Sequence, residues 1–238
     1  MKIRPLPEID LARISPLARE QKLRALEQMQ LGRPPYSYAP FRGSLSDLTN
    51  IQADLAGPMA RTSWAQISSV ISKACHSDAQ EKANLRVAEG LFRFAEASGL
   101  IGRHHDFFPL PLGLSAKVSY WQNAILTLDQ RPIIPFYDPR RAKSLTSDAR
   151  RFVFSVMHER IRVPDPDFAE VAFAIFQFER SKEGARLPVT FLDSTVELFT
   201  FDELDEMVRE TYEIWQEICE DRAADARRRR TASGGGFL

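Results

Sequence analysis

The chain has 238 residues, 44% of them hydrophobic and 27% charged, the balance of a globular protein with room for a substantial core. Its 32 basic and 32 acidic side chains cancel, so net charge excludes nothing about partners and only local clusters carry information. Cys75 and Cys219 fit no metal-ligand spacing, the first 20 residues lack a signal peptide's apolar segment, and no window approaches the ~18 apolar residues of a membrane span. The reading is a cytoplasmic chain with two free thiols and no membrane contact.

In chain order, the first helix is expected to start at Ser15-Pro16, with Ser15 as its cap and Leu23, Leu26 and Met29 as its apolar face. Residues 33–44 form a proline- and aromatic-rich connector, and residues 45–55 suggest another short helix. Trp64, Ile67, Val70, Ile71 and Ala74 make a helical stripe capped by Thr62 or Ser63. Ser77 and Gln80 form a capping box for the next helix, whose face is Leu85, Ala88, Leu91, Phe92 and Ala95 and whose stop is Gly99. The N-terminal third thus reads as all-helical.

The pattern then changes. Residues 117–128 suit a strand, Asp129-Gln130 a turn, and residues 131–137 a returning strand whose two prolines place it at a sheet edge. A helix is expected over residues 146–162, a central strand over 169–178 and a further strand over 187–192. Thr200 and Glu203 cap the last helix. Its face, with Val208, Tyr212, Trp215 and Ile218, is expected to lie buried against the sheet. The fold class is α/β in the α+β sense: a helical N-terminal third, then a four-stranded, mostly antiparallel sheet packed by helices, with a long C-terminal helix. Residues 1–61 read as a helical arm with its connector, 62–230 as the core domain and 231–238 as a disordered tail.

The densest chemical signal is DPRRAKSLTSDARRFVFSVMHERIR, residues 138–162, with seven cations against few acids inside an otherwise neutral chain. Arginine forks bind phosphate at two points, and a helix N-terminus adds free N–H groups. Arg140, Arg141, Arg150, Arg151 and Arg162 are therefore candidates for a phosphate or nucleic-acid site. The bland alternative is that they pair with the acidic last helix. Asp138, His158 and Glu159, with Lys143 nearby, are weak candidates for a metal-dependent nuclease or hydrolase, and the acid-x-lysine triplet of such enzymes is absent. His104, His105 and Asp106 read as loop surface and Cys75-His76 as a helix end, so no metal and no cofactor is assigned. No phosphate loop, dinucleotide fingerprint or nucleophile elbow occurs.

Pro34, Pro35, Tyr36, Tyr38, Pro40 and Phe41 anchor the N-terminal arm or form a recognition surface. Gln52-Ala53-Asp54-Leu55 resembles the start of the short peptides that dock on sliding clamps but lacks their terminal aromatic, and no partner is assigned on it. The leading reading is a binding or regulatory protein that engages nucleic acid or another phosphate-bearing partner through the arginine segment. The alternative is a protein-interaction module, such as a toxin–antitoxin or adaptor component, using the connector and the last helix. A divergent hydrolase stands third.

Overall fold

The computed structural model describes residues 5–29, 37–52, 60–107, 119–182 and 184–233. Four helices open the chain: α1 (Glu8–Ile14), α2 (Arg19–Glu27), α3 (Ala39–Gly43) and α4 (Leu45–Leu48). Strand β1 (Ile51–Gln52) is followed by α5 (Trp64–Ala74), α6 (Asp78–Ala97), β2 (Ile101–His104), β3 (Ala124–Leu128) and β4 (Arg131–Asp138). Helix α7 (Ser147–Met157) runs on into a π-helical turn (His158–Arg162), and β5 (Ala172–Arg180), β6 (Arg186–Leu192) and α8 (Phe201–Ser233) complete the chain.

Among the described residues the sheet has six strands in the order β1-β2-β3-β4-β5-β6, two more than expected. The additions are β1, which lies inside the third read as helical, and β2, which lies between its stop at Gly99 and the first expected strand at residue 117. The β1–β2 and β4–β5 pairs are parallel, and the other three are antiparallel. Asp129 and Gln130 close the β3–β4 hairpin with φ of 49° and 62°, the left-handed pair that a two-residue hairpin turn demands.

The sheet is a middle layer. Ile134, Phe136, Phe173 and Ile175 point into one core with α1, α2, α7 and α8. Ile133, Tyr137, Ala174 and Phe176 point into a second core with α3 to α6. Both faces of β5 are therefore covered, which is why its sequence is almost continuously apolar rather than alternating. Helix α6 lies against the edge strand β6, and at Gly90 the approach is close enough that a Cβ would stand 1.7 Å from the Arg186 carbonyl oxygen.

Several expectations are corrected. Ser15 does not start a helix; it ends α1, is fully buried, and donates its N–H to Leu11 O. In α2 the inward residues are Lys22 and Leu26, while Leu23 is exposed. Strand β4 lies inside the sheet despite its prolines. The β3 ladder ends at Ile133, and Pro135 faces that side, its oxygen accepting the Gln122 N–H. Backbone alternation turns Pro132 toward β5, whose ladder begins only at Ile133. Each missing N–H thus falls where no ladder bond is due. Trp215 is buried and Tyr212 half-buried, but α8 packs on α2, α7 and α1 rather than on the sheet. Helix α8 reaches Ser233, and residues 234–238 of the expected tail lie outside those described.

Candidate functional site

The arginine segment begins where β4 ends. Asp138 is fully buried there, and its carboxylate accepts the N–H groups of Leu145 and Arg140 at 2.8 and 3.2 Å and the Gln177 amide at 3.2 Å. Burial pushes its pKa up, and those hydrogen bonds pull against the rise. Thr146 then caps α7 by accepting the Ala149 N–H. Arg150 donates to Leu145 O and to Gln177 Oε1 and stacks over the Phe191 ring. Arg140 makes a two-point contact with Asp10 of α1, at 2.6 and 3.1 Å. Arg162, at the far end of α7, donates to Val171 O, pairs with Asp193 at 2.6 Å and lies 4.0 Å over Phe173. Arg151 lies over Phe199, and Arg141 is exposed.

The five guanidinium groups do not converge on one anion site. The forks of Arg140, Arg150 and Arg162 are spent tying α1, β5, β6 and the loop after β6 together. The carboxylate partners of Arg140 and Arg162, Asp10 and Asp193, lie outside the acidic last helix, while Arg151 lies close enough to Glu203 of that helix to add to the lowering of its pKa by the Thr200 hydrogen bonds, so the bland alternative holds for Arg151 and not for those two. The sequence pointed to no partner for Arg186, which is buried in β6 and donates to the carbonyls of Pro139, Arg140 and Phe178. A lone arginine in a strand carries no local sign of such a role.

Asp138, His158 and Glu159 are not brought together either. Asp138 sits beside the start of α7 and the other two at its end, and 11 helical residues at about 1.5 Å each separate those ends. Among the described residues no group of three His, Cys, Asp or Glu side chains is placed to hold a metal ion. His104 meets Asp106 at 3.6 Å on the surface, His105 packs on Phe107 and Phe168, and Cys75 ends α5.

The connector is an anchor in its described part. Phe41 is fully buried edge-on to Tyr137 and Phe178, and Asn84 of α6 accepts its N–H while donating to Ser37 O. Pro34, Pro35 and Tyr36 lie outside the described residues. This anchor delivers α4 and then β1 to the end of the strand order, so β1 has no strand on its outer side among the described residues. Arg61 fastens the chain where it returns, donating to Leu48 O and Phe92 O. Gln52 closes β1 half-buried, its amide donating to Asn50 Oδ1 at 2.7 Å. Residues 53–59, which include the rest of Gln52-x-x-Leu55, lie outside the described residues.

The fold and these sites define a mixed α/β protein built on an open sheet, with its charged clusters turned to internal fastening and a short strand held at the sheet's end. No helix among the described residues is long and apolar enough to cross a membrane. The family of the sliding clamp-binding bacterial toxin SocB matches residues 9–225, nearly the whole chain. The DNA replication inhibitor toxin SocB of Caulobacter vibrioides (strain NA1000 / CB15N) is 39% identical over 238 residues, covering 100% of this chain and 98% of that protein. No solved structure matches. The chain belongs to the SocB family.

Proposed function

We propose that this chain is a toxin that inhibits DNA replication by binding the bacterial sliding clamp, and that its contact is the segment opened by Gln52. Family membership over the full length carries the first part. The second rests on the Gln52-x-x-Leu55 pattern at the end of β1. A short peptide of this form offers one amide for hydrogen bonding and one branched apolar side chain for a pocket. The strand at the sheet's end holds the start of that peptide without using both of its backbone edges. Occupying the clamp's docking groove excludes other proteins that dock there by similar peptides, which inhibits replication by competition. The partner is then a protein of the cytoplasm, and the interaction-module alternative of the sequence reading is the one retained.

The test is binding of the purified clamp to the immobilised full chain. Gln52→Ala and Leu55→Ala are each expected to weaken binding by about tenfold or more, as central interface contacts do. Thermal melting should be unchanged, because Gln52 sits on a two-residue strand. Clamp binding at wild-type strength by the double variant overturns the placement of the contact. Failure of the wild-type chain to bind the clamp overturns the function.

A further inference from the structure

Helix α8 is longer than its packing requires. Its last buried residue is Cys219, and Arg222 then fastens it to the end of α2, donating to Glu27 O at 2.7 Å and to Met29 O at 3.0 Å. Every residue from Ala224 to Arg229 is exposed, and the helix runs on to Ser233. That end is about 15 Å long at 1.5 Å per residue. It carries the run Arg227 to Arg230, and its single acid is Asp225. Asp225 lies 3.8 Å from Arg228 with both side chains mostly in solvent, a pair that offsets little of the charge. Glu220 and Asp221 lie about 9–11 Å back along the helix, at or beyond the screening length of ~8 Å.

The shape of this charge selects a partner. The negative end of the helix dipole favours cations, yet four within one turn also repel one another, so a polyanion relieves them. Four successive positions complete a helical turn, so the charge runs round the circumference rather than along one stripe. The apolar residues beside it are alanines, which leave no amphipathic face for a lipid surface or a partner's apolar groove. A flat acidic protein surface meets only one side of such a rod. The major groove of duplex DNA meets both, because it is about 12 Å wide, admits an α-helix and has phosphates along each wall. Arginine forks bind those phosphates at two points. The major groove of duplex RNA is too narrow and deep to admit the rod. We infer that the end of α8 is a DNA-docking element that enters the major groove and binds the phosphate rows. It is separate from the arginine segment of residues 138–162, and it does not rest on clamp binding.

The experiment uses the full chain without the clamp and a short fluorescent DNA duplex of mixed sequence, with binding followed by anisotropy. The wild type should bind at low salt, about 50 mM, and release as salt rises, with a slope of ~0.9 for each phosphate contact. Replacing Arg227, Arg228, Arg229 and Arg230 together by alanine should weaken binding about tenfold or more and flatten that slope by ~2–4. The melting temperature should not change, because Arg227 to Arg229 are exposed. Arg141→Ala, an exposed arginine outside α8, should leave affinity and slope as they are. An RNA duplex of the same sequence should bind more weakly than the DNA. The inference is overturned if the wild type does not bind DNA at low salt, if the four-alanine variant binds as well as wild type, or if Arg141→Ala costs as much as the four together. RNA binding equal to or tighter than DNA binding overturns the groove. Salt-sensitive self-association without DNA binding, lost in the four-alanine variant, overturns it in favour of the acidic part of α8 on a second copy.

Discussion

Lys22 is 2% exposed, and its ammonium lies 2.5 Å from the Glu210 carboxylate and 3.2 Å from Met207 O. An apolar periodicity puts Leu23 inward, but the pair across α2 and α8 turns the helix so that Lys22 faces the core. A buried ammonium without its partner is costly, so Glu210→Gln should destabilise the protein by about 3–5 kcal/mol at neutral pH, measured by urea unfolding. The Lys22 hydrogen bond holds the Glu210 carboxyl below its ordinary value despite some desolvation, and Arg19 adds to the effect. A depressed carboxyl stabilises the fold fully above its unfolded value, about 4.3, and the benefit is lost as pH falls through the folded value. The stability difference between wild type and Glu210→Gln should therefore shrink on acidification below about pH 4.3. An equal difference at pH 7 and at strongly acid pH would contradict the linkage.

Helix α6 shows a sequence signal and a tertiary one side by side. Ser77 accepts the Gln80 N–H as its capping pattern promised, while the Gln80 side chain accepts from His76 N–H rather than from Ser77. Gly90 in its middle has no propensity reason to be there, since alanine is the better helix former by about 1 kcal/mol. Its reason is the Arg186 carbonyl of β6, which a Cβ would strike. Gly90→Ala should therefore destabilise the protein by about 1–3 kcal/mol, as overpacking against a fixed neighbour does. A stabilised variant in the same unfolding assay would show that α6 and β6 can separate freely. The π turn after α7 is a similar case. Nothing in HERIR announces it, and the Val163 N–H reaches back to His158 O where Arg162 engages Val171, Asp193 and Phe173.

At the scale of the molecule, the arginines separate two views of the chain. Replacing Arg140, Arg141, Arg150 and Arg151 by alanine removes the Asp10 clamp, the Arg150 bonds to Leu145 and Gln177, and two ring contacts. The expected result is a loss of about 3 kcal/mol, from charged hydrogen bonds at roughly 1.5–3 each. That is a fall of about 6 °C or more in melting temperature for a chain of this size. Clamp binding by the folded variant should be unchanged, because the bonds and ring contacts removed fall on Asp10, Leu145, Gln177, Phe191 and Phe199, none of them in β1. An unchanged melting temperature would return the arginines to the role of a free anion-binding surface.

The helices with strong caps were legible, because Ser63 with Gln66, Thr146 with Ala149 and Thr200 with Glu203 are contacts within a few residues of each other. The β3–β4 hairpin and the twice-covered strand β5 were legible for the same reason, since turn chemistry and unbroken apolar runs are local. Strands β1 and β2 were not, because two and four residues hold too little periodicity and exist through pairing with each other and with β3. The clamp-like start at Gln52 could be read as a pattern, yet its position at the end of the sheet came only with the fold. The sequence by itself determined the capped helices, the hairpin, the core strand and the charge of the arginine run. Tertiary structure alone decided which face of α2 turns inward, why β4 tolerates its prolines inside the sheet, and where each arginine fork ends. Those outcomes depend on partners far along the chain, such as Glu210 for Lys22 and Asp10 for Arg140, and no local propensity encodes a partner at that distance.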